Sequence, residues 1–389
     1  MIHLPFQRFR PAAMAAGILF LAAGIPGAIF DRHAFFVSWL FAFVFWLGLS
    51  LGCLNVAMMH YLTGGRWGNV TRRFLEAGYM TLPAMAICFV PLLFGLHILY
   101  PWARPEDVAA DRILQQKAAY ENFSGFLLRA ILFFGSWIVI AARLRRYSLQ
   151  QDATVDPAPT IKLRTLSGPG IVLVPLTMTF ASVDWIMSIE PAWFSTIFGV
   201  ILLSGQVLAA LAFIIILLAQ IQSHPPLPTV TTPKHFHDLG NLLLAFVMFW
   251  TYVAFSQFLV VYSGNQPREI GWYLHRVDGT WKWLIGLVAL FHFFTPFFLL
   301  LFRAIKTSRR ALVTIAAMIL VVHVADIFWI IMPTFYPGGI SIHWTDFTAW
   351  LGMGGIWLAI FFTRLAGHPL VAQNDPRQEN TLLKTADAK

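Results

Sequence analysis

The segment WFSTIFGVILLSGQVLAALAFIIILLA, residues 193–219, contains no Asp, Glu, Lys or Arg. An α-helix advances about 1.5 Å per residue, and the hydrocarbon core of a bilayer is about 30 Å thick, so about 20 apolar residues cross it. Inside lipid, the backbone polar groups must be hydrogen-bonded within the segment itself, which favours a helix over a single strand. The segment is therefore predicted to be a membrane-spanning helix.

Similar apolar runs recur along the whole chain of 389 residues, of which 58% are hydrophobic and only 12% are charged. Soluble proteins carry a charged fraction of about 25%. We predict an all-α polytopic membrane protein with ten spans, at residues 11–30, 35–59, 75–100, 123–143, 169–189, 193–219, 239–262, 283–302, 311–332 and 344–365. The short connections between these spans leave no room for a catalytic domain outside the membrane.

The net charge of +9 comes from an uneven distribution of Lys and Arg between the two sides of the predicted membrane. Most of them fall in alternate connections, at residues 8–10, 66–73, 143–164, 234, 303–310 and 364–389. Cytoplasmic loops of membrane proteins carry an excess of Lys and Arg. The pattern predicts that both termini lie in the cytoplasm, so the basic balance indicates membrane topology and not nucleic-acid binding.

The connections also divide the chain into parts. Residues 1–143 hold the four leading spans, and residues 168–366 hold the six following ones. Between them, residues 144–167 include the polar, Pro-containing stretch DATVDPAPT and are predicted to be a cytoplasmic linker. Residues 367–389 are polar and are predicted to form a cytoplasmic tail.

The two cysteines, Cys53 and Cys88, both lie inside apolar runs. The chain has no C-x-x-C-H motif for the attachment of haem c and no cysteine series of the ferredoxin type. These patterns predict no covalently bound cofactor and no metal site.

A charged side chain at membrane depth is costly and is by default a functional candidate. In FASVDWIMSIEPAWFST, residues 180–196, Asp184 lies about 9 Å below the outer boundary of its span. It is interpreted as a proton-holding site or as a partner in an interhelical salt bridge, with Arg129 as one candidate partner. Glu190 precedes Pro191 in a tight outward hairpin and is interpreted as a cap or surface carboxylate.

A histidine and an aspartate lie three residues apart in the ninth predicted span. His323 and Asp326 therefore share one helix face near the middle of the membrane. A histidine beside a carboxylate fits a proton relay, and it equally fits a buried pair that orders helix packing. His292, in the middle of the eighth predicted span, is interpreted as a packing residue or as a contact in such a relay.

The seventh predicted span is preceded by the sequence HFHD, residues 235–238. His237 and Asp238 stand near the predicted helix start, where an aspartate suits the N-cap position. The alternative to simple capping is that they form a mouth through which protons enter from the cytoplasm. No further metal ligands lie near the H-x-H pattern in the sequence.

Several longer blocks share their order with a known family. They are FASVDWIMSIEPAWFSTIFGV (180–200), HDLGNLLLAFVMFWTYVAFSQFLVVYSGNQPREIGWYLHR (237–276), HFFTPFFLLLFR (292–303), DIFWIIMPTF (326–335), HWTD (343–346) and NDP (374–376). In these blocks the chain resembles the second NrfD-like membrane subunit, the ActF type, of bacterial alternative complex III. That complex is a quinol:cytochrome c oxidoreductase. The resemblance runs from about residue 168 to residue 376, whereas residues 1–167 share only the hydropathy and the number of spans.

The resemblance implies ten helices, with two four-helix bundles flanked by the first and last helix. It implies a multi-pass subunit of the bacterial cytoplasmic membrane that is not an enzyme on its own. Its expected partners are a paralogous membrane subunit, an iron–sulfur protein and haem c proteins, and no nucleic acid. The implied role is a proton path, and the matching positions are Asp184, His237, Asp238, His292, His323 and Asp326. Whether a quinone, such as menaquinone, contacts this chain stays open at this point.

Three other functions compete with this interpretation. A secondary transporter would have a mid-membrane site made by broken helices in repeated halves, and Pro175 and Pro296 are compatible with such breaks. A membrane transferase acting on lipid-linked substrates would require acids on an outer loop, for which Asp107 and Asp111 are the candidates. A purely structural anchor would use its buried acids for stability alone.

Overall fold

The computed structural model describes residues 6–225, 227–372 and 374–375, with the side chains of residues 6–8 left out. These residues form an all-α polytopic membrane protein, and within them no β-strand occurs. Ten helical segments are long and apolar enough to cross a membrane. In chain order, spans 1 to 10 are Phe9–Phe30, Arg32–Thr63, Arg66–Phe94, Phe123–Ala153, Ala158–Ile189, Phe198–Ile221, Pro233–Gly264, Trp281–Leu301, Arg309–Phe335 and Trp344–Leu365. The predicted fold class and number of spans are confirmed.

Several spans contain more than one helical element. Span 3 consists of the helices Arg66–Tyr79 and Leu82–Phe94, and span 5 ends in a 3-10 turn, Met187–Ile189. Span 8 consists of Trp281–Val288, a π-helical segment Ala289–Phe294, and Thr295–Leu301. Shorter helices lie in the connections, at Leu96–Leu99, Pro101–Ala103, Pro105–Ala110, Arg112–Lys117, Leu227–Val230, Pro267–Val277 and Arg303–Thr307.

Most of the predicted linker, residues 144–167, is helical. The helices of spans 4 and 5 extend through it, and only residues 154–157 connect them. The sequence boundaries were placed where charged residues begin, but a helix continues beyond the apolar core when long Lys and Arg side chains reach the membrane surface. For the same reason, span 7 begins at Pro233 instead of at residue 239.

The helices pack as two four-helix bundles. Spans 2 to 5 contact one another in the first bundle, and spans 6 to 9 do so in the second. Span 2 also packs against spans 6, 9 and 10, and it is the most completely buried span. Spans 1 and 10 pack together beside the bundles. This is the arrangement that the resemblance implies.

Spans 1 and 10 are antiparallel, since Gly17 lies against Gly355 and Gly27 lies against Thr345. The beginning of span 1 and the end of span 10 therefore share one end of the molecule, here called the terminal end. The opposite end is called the far end. A Cβ atom added to Gly355 would lie 2.5 Å from Gly17 Cα, so only glycine permits this approach of the two backbones.

The two bundles meet at an equally close contact between Gly52 of span 2 and span 6. A Cβ atom at Gly52 would lie 2.1 Å from the carbonyl oxygen of Gln206. We expect Gly52→Ala to destabilise the protein by about 1–3 kcal/mol, because the backbones must move apart. The measurement is the thermal unfolding midpoint in detergent. Gly168→Ala is the control, since nothing lies within 4 Å of a Cβ atom there; equal midpoints for the two variants would contradict the prediction.

Candidate functional site

The second bundle contains a buried cluster of two histidines and a tryptophan. The rings of His292 and His323 are stacked, with centroids 5.8 Å apart and planes inclined by 12°. The ring of Trp250 meets His292 edge-on at 4.4 Å. Gly205 of span 6 makes room for the imidazole, because a Cβ atom there would lie 2.9 Å from His323 Cε1. Spans 6, 7, 8 and 9 thus each contribute one residue to the cluster.

His292 lies in the π-helical segment Ala289–Phe294 of span 8. Such segments are rare inside α-helices and occur frequently at functional sites. The wider turn ends at Thr295–Pro296, where the proline has no backbone N–H to donate. The sequence HFFTP, residues 292–296, therefore accounts for a π-helical turn at His292 instead of an α-helical one.

Several polar atoms of this cluster are buried and have no hydrogen-bond partner among the described residues. They are Nδ1 and Nε2 of His292, Nδ1 of His323 and Nε1 of Trp250. More than nine in ten buried polar groups in folded proteins are hydrogen-bonded, so a group of exceptions requires an explanation. An imidazole both donates and accepts hydrogen bonds, so the unpartnered ring nitrogens suit proton transfer.

Asp326 joins the cluster from the next turn of span 9. Its Oδ2 atom lies 3.7 Å from Nδ1 of His323, and its side chain is 5% exposed. No hydrogen bond to the carboxyl group of Asp326 occurs among the described residues. The carboxyl and the two imidazoles therefore form a series of proton-accepting groups. Of the six predicted site residues, the structure brings these three together: His292, His323 and Asp326.

Asp326 also lies on the wall of a cavity of about 690 Å³ between spans 6 to 9 and the helix Pro267–Val277. The other lining side chains are almost all apolar or aromatic and include Trp193, Trp250, Phe255, Trp272, Phe293 and Trp329. Asp326 is the one acidic or basic residue of the described lining. Sites for small molecules commonly combine such apolar walls with a few polar groups that fix orientation.

Asp184 lies away from this cluster, near the far end of the first bundle. Its Oδ2 atom accepts a hydrogen bond from Nε of Arg129 at 2.7 Å, which is the pairing that the sequence offered as one alternative. The Arg129 guanidinium also stacks over the ring of Tyr120, 3.8 Å from its centroid. Oδ1 of Asp184 is buried and has no hydrogen-bond partner among the described residues. Asp184 thus combines an ion pair with one unpartnered oxygen.

Glu190 occupies the C-cap position of the 3-10 turn Met187–Ile189, as the sequence suggested, but its side chain forms an ion pair instead of lying free on the surface. Its Oε1 atom accepts hydrogen bonds from Nη1 of Arg276 at 2.7 Å and from the hydroxyl of Thr334. Arg276 is buried and also donates to the backbone carbonyls of Trp272 and Ile330. Burial lowers the pKa of Arg276 to about 10, and Glu190 opposes this shift. Every guanidinium nitrogen of Arg276 donates a hydrogen bond, so the pair of Glu190 and Arg276 holds the hairpin after span 5 against span 9.

His237 and Asp238 lie at the terminal end, and both side chains are partly exposed. The predicted N-cap role of Asp238 is wrong, because Thr232 caps the helix together with His235, and Asp238 falls in the second turn. The sequence suggested a later start because Pro233 and Lys234 precede the apolar run.

The side chain of His237 contacts the neighbouring turn of span 7. Nδ1 of His237 lies 3.3 Å from Nδ2 of Asn241, and Oδ1 of Asn241 accepts a hydrogen bond from Lys306 at 2.7 Å. From Asp238 to Trp250 the helix rises about 18 Å, so this pair does not contact the buried histidines.

A buried ionic cluster surrounds Glu76 of span 3, and none of its residues was among the predicted site residues. Glu76 is fully buried, and it accepts hydrogen bonds from Arg72 at 2.9 Å, from Arg73 at 2.7 Å and from Arg145. Ser148 and Tyr61 also donate to its carboxylate. From the sequence, these arginines were interpreted only as signals of membrane topology. The four-residue spacing of Arg72 and Glu76 was the one available sign of an ion pair.

The beginning of the predicted tail also belongs to the folded structure. Leu370, Ala372 and Asp375 are buried, and Oδ2 of Asp375 lies 3.3 Å from Nη1 of Arg72. Asn374 donates to the backbone carbonyl of Asp152 at 3.1 Å. Residues 366–372 and 374–375 therefore cross the terminal end of the first bundle instead of extending as a surface tail. Residues 376–389, including Pro376 of the NDP block, lie outside the described residues.

No protein-family model matches this chain, and no curated protein matches it either.

Proposed function

We propose that this chain is a membrane subunit of a bacterial quinol:cytochrome c oxidoreductase of the alternative complex III type, and that it conducts protons. Its partners would be a paralogous membrane subunit, an iron–sulfur protein and haem c proteins, which would carry the clusters and haems. The arrangement of two four-helix bundles flanked by spans 1 and 10 supports this family. The observation that carries the proton role is the stacked pair of His292 and His323 beside Asp326.

The three residues suggest an order of proton steps. The Asp326 carboxyl receives a proton, and Nδ1 of His323, 3.7 Å from its Oδ2 atom, accepts it across a gap that one water molecule or a small side-chain rotation closes. The stacked ring of His292, whose two nitrogens are unpartnered among the described residues, is the next acceptor. Low polarity around the cluster prevents loss of the proton to bulk water.

His237 and Asp238 would form the proton mouth at the terminal end, which the positive-inside pattern assigns to the cytoplasm. Asp184 would hold a proton near the far end. These groups are separated along the spans, so transfer between them requires further polar groups or bound water. The side chain of Gln206 in span 6 faces Gly48 of span 2 and Met178 of span 5, between the two bundles, and its buried Oε1 atom has no partner among the described residues.

The aromatic cavity suits a quinone contact in addition to proton conduction. Trp250, Phe293 and Trp329 would hold the ring, and Asp326 would face its oxygen-bearing edge. A bound quinol would supply two protons and two electrons on oxidation. The chain's own contribution would be to orient the ring, exclude water and accept a proton at Asp326.

A secondary transporter is the competing function. Among the described spans, the first bundle is interrupted in its second span, at residues 80–81 of span 3, whereas the second bundle is interrupted in its third span, at the π-helical segment of span 8. Paired interruptions in two repeats would favour the transporter. This asymmetry favours the respiratory subunit.

The test of the proposed function is purification of the tagged protein from its native membranes in mild detergent. We expect haem c absorbance, an iron–sulfur protein and a second ten-span protein to co-purify, as determined by visible spectroscopy and mass spectrometry. A colourless protein without partners would contradict the proposal.

A further inference from the structure

A second cavity, of about 370 Å³, opens at the far end. It is lined mainly by the connection between spans 3 and 4. Its lining includes His97, Trp102, Glu121 and Asn122. Glu121 lies in the connection, two residues before span 4 begins, and its side chain is only 6% exposed. A carboxyl so well buried outside the membrane-spanning segments is unusual, because charged groups are seldom buried without full pairing.

Two polar atoms of this lining lack a partner among the described residues. Nε1 of Trp102 is a hydrogen-bond donor and Oε2 of Glu121 is an acceptor, and both are buried. The other carboxylate oxygen of Glu121 lies 3.6 Å from Nζ of Lys117. A donor and an acceptor in one cavity match a small molecule that both accepts and donates hydrogen bonds. Water has this property and a purely apolar ligand does not.

Arg129 links Asp184 to the connection that carries Glu121. One guanidinium nitrogen of Arg129 donates to Asp184 Oδ2 at 2.7 Å, and another donates to the backbone carbonyl of Tyr120 at 3.0 Å. Tyr120 directly precedes Glu121 in the chain. Nζ of Lys117 donates to the carbonyl of Pro191 at 2.8 Å, which holds this connection against the hairpin after span 5. The same contacts therefore position both carboxyls.

We propose that Glu121 is a proton-exchanging carboxyl between Asp184 and the aqueous phase at the far end, with water in this cavity as the carrier. This inference rests on the proposed proton-conducting function. A proton leaves the Asp184 carboxyl for a water molecule, that water gives a proton to the Glu121 carboxylate, and Glu121 gives a proton to bulk water. Glu121 returns to its carboxylate, Asp184 is left as a carboxylate that the next proton on the path protonates again, and one proton reaches bulk water, so the protons balance.

The charges that face Glu121 fit such a role. Burial raises the pKa of Glu121 above the ordinary glutamate value, Lys117 and Arg129 lower it, and Asp184 raises it. A carboxyl with a raised pKa both binds and releases protons closer to neutral pH than an exposed glutamate does. His97 is the other titratable group of the described lining.

The test is an infrared titration of the purified protein together with the proteins that accompany it, followed through the carboxyl carbonyl stretch. We expect a carboxyl that titrates above the range of exposed glutamates and that is absent in Glu121→Gln. Asp184→Asn removes a nearby negative charge and is expected to lower the pKa of Glu121. Glu106→Gln, at an exposed glutamate of the same connection, is the control and should leave the band unchanged.

Proton release at the far end during turnover is the second readout. We expect Glu121→Gln to slow release at least tenfold, and we expect Glu121→Asp to restore part of it. Release at the wild-type rate in Glu121→Gln, with Asp184→Asn impaired, would overturn the role of Glu121 and leave the proposed function standing. Release at the wild-type rate in both variants would overturn both proposals.

Discussion

Replacement of Asp326 by Asn is expected to lower quinol:cytochrome c turnover by about 100-fold or more. Positioned acid–base groups contribute about 10²- to 10⁴-fold to a rate, and Asn keeps the shape of the side chain without accepting a proton. Asp326 is the one acidic or basic residue in the described lining of the aromatic cavity and lies beside His323, so no neighbouring carboxyl replaces it. The measurement is steady-state turnover of the purified complex.

Asp278→Asn provides a matched control, because it makes the same chemical change at an exposed residue of the far end. Subunit composition and thermal unfolding should be the same for the two variants. If Asp326→Asn assembles normally and turns over at the wild-type rate, the stacked histidines and Asp326 are packing residues. The chain would then act as a purely structural membrane anchor.

The largest effect on stability is expected from Glu76→Gln. Glu76 is fully buried and faces the guanidinium groups of Arg72, Arg73 and Arg145. Removal of one partner from a buried ionic cluster leaves uncompensated charge and costs about 3–5 kcal/mol. We expect the variant to unfold at a much lower temperature or to be degraded in the membrane. Thermal unfolding of the purified protein, with the exposed Glu106→Gln as the control, measures the difference.

Asp375→Asn tests the same ionic cluster through Arg72, which contacts both Asp375 and Glu76. Oδ2 of Asp375 lies 3.3 Å from Nη1 of Arg72, farther than the 2.9 Å between Glu76 and the same guanidinium, so a smaller loss of stability is expected than for Glu76→Gln. Equal stability of Glu76→Gln and the wild-type protein would show that the cluster does not hold spans 3 and 4 together.

Hydropathy was sufficient to predict the number of spans, because lipid permits little except helices for long uncharged segments. It also singled out Asp184, His323 and Asp326, since polar residues at membrane depth are rare. It did not predict where helices end beyond the apolar core, as in residues 144–167. Those boundaries depend on how long side chains reach the membrane surface.

The features that the sequence did not predict depend on tertiary packing. Residues 72, 73 and 145 appear as surface arginines when topology is inferred from charge, and their burial around Glu76 follows only from the packing of spans 3 and 4. The stacking of His292 on His323 requires the π-helical turn of span 8, which periodicity does not predict. Glu121 lies in a connection and has no sequence feature that distinguishes it from Glu106.

Proton release per electron transferred tests the central claim most directly. The purified complex is placed in sealed vesicles, and a pH-sensitive dye and cytochrome c reduction are followed together. With the wild-type chain, we expect proton movement to accompany electron transfer, and with Asp326→Asn we expect fewer protons for each electron that is still transferred. The same proton-to-electron ratio in both, with the complex fully assembled, would contradict proton conduction by this chain.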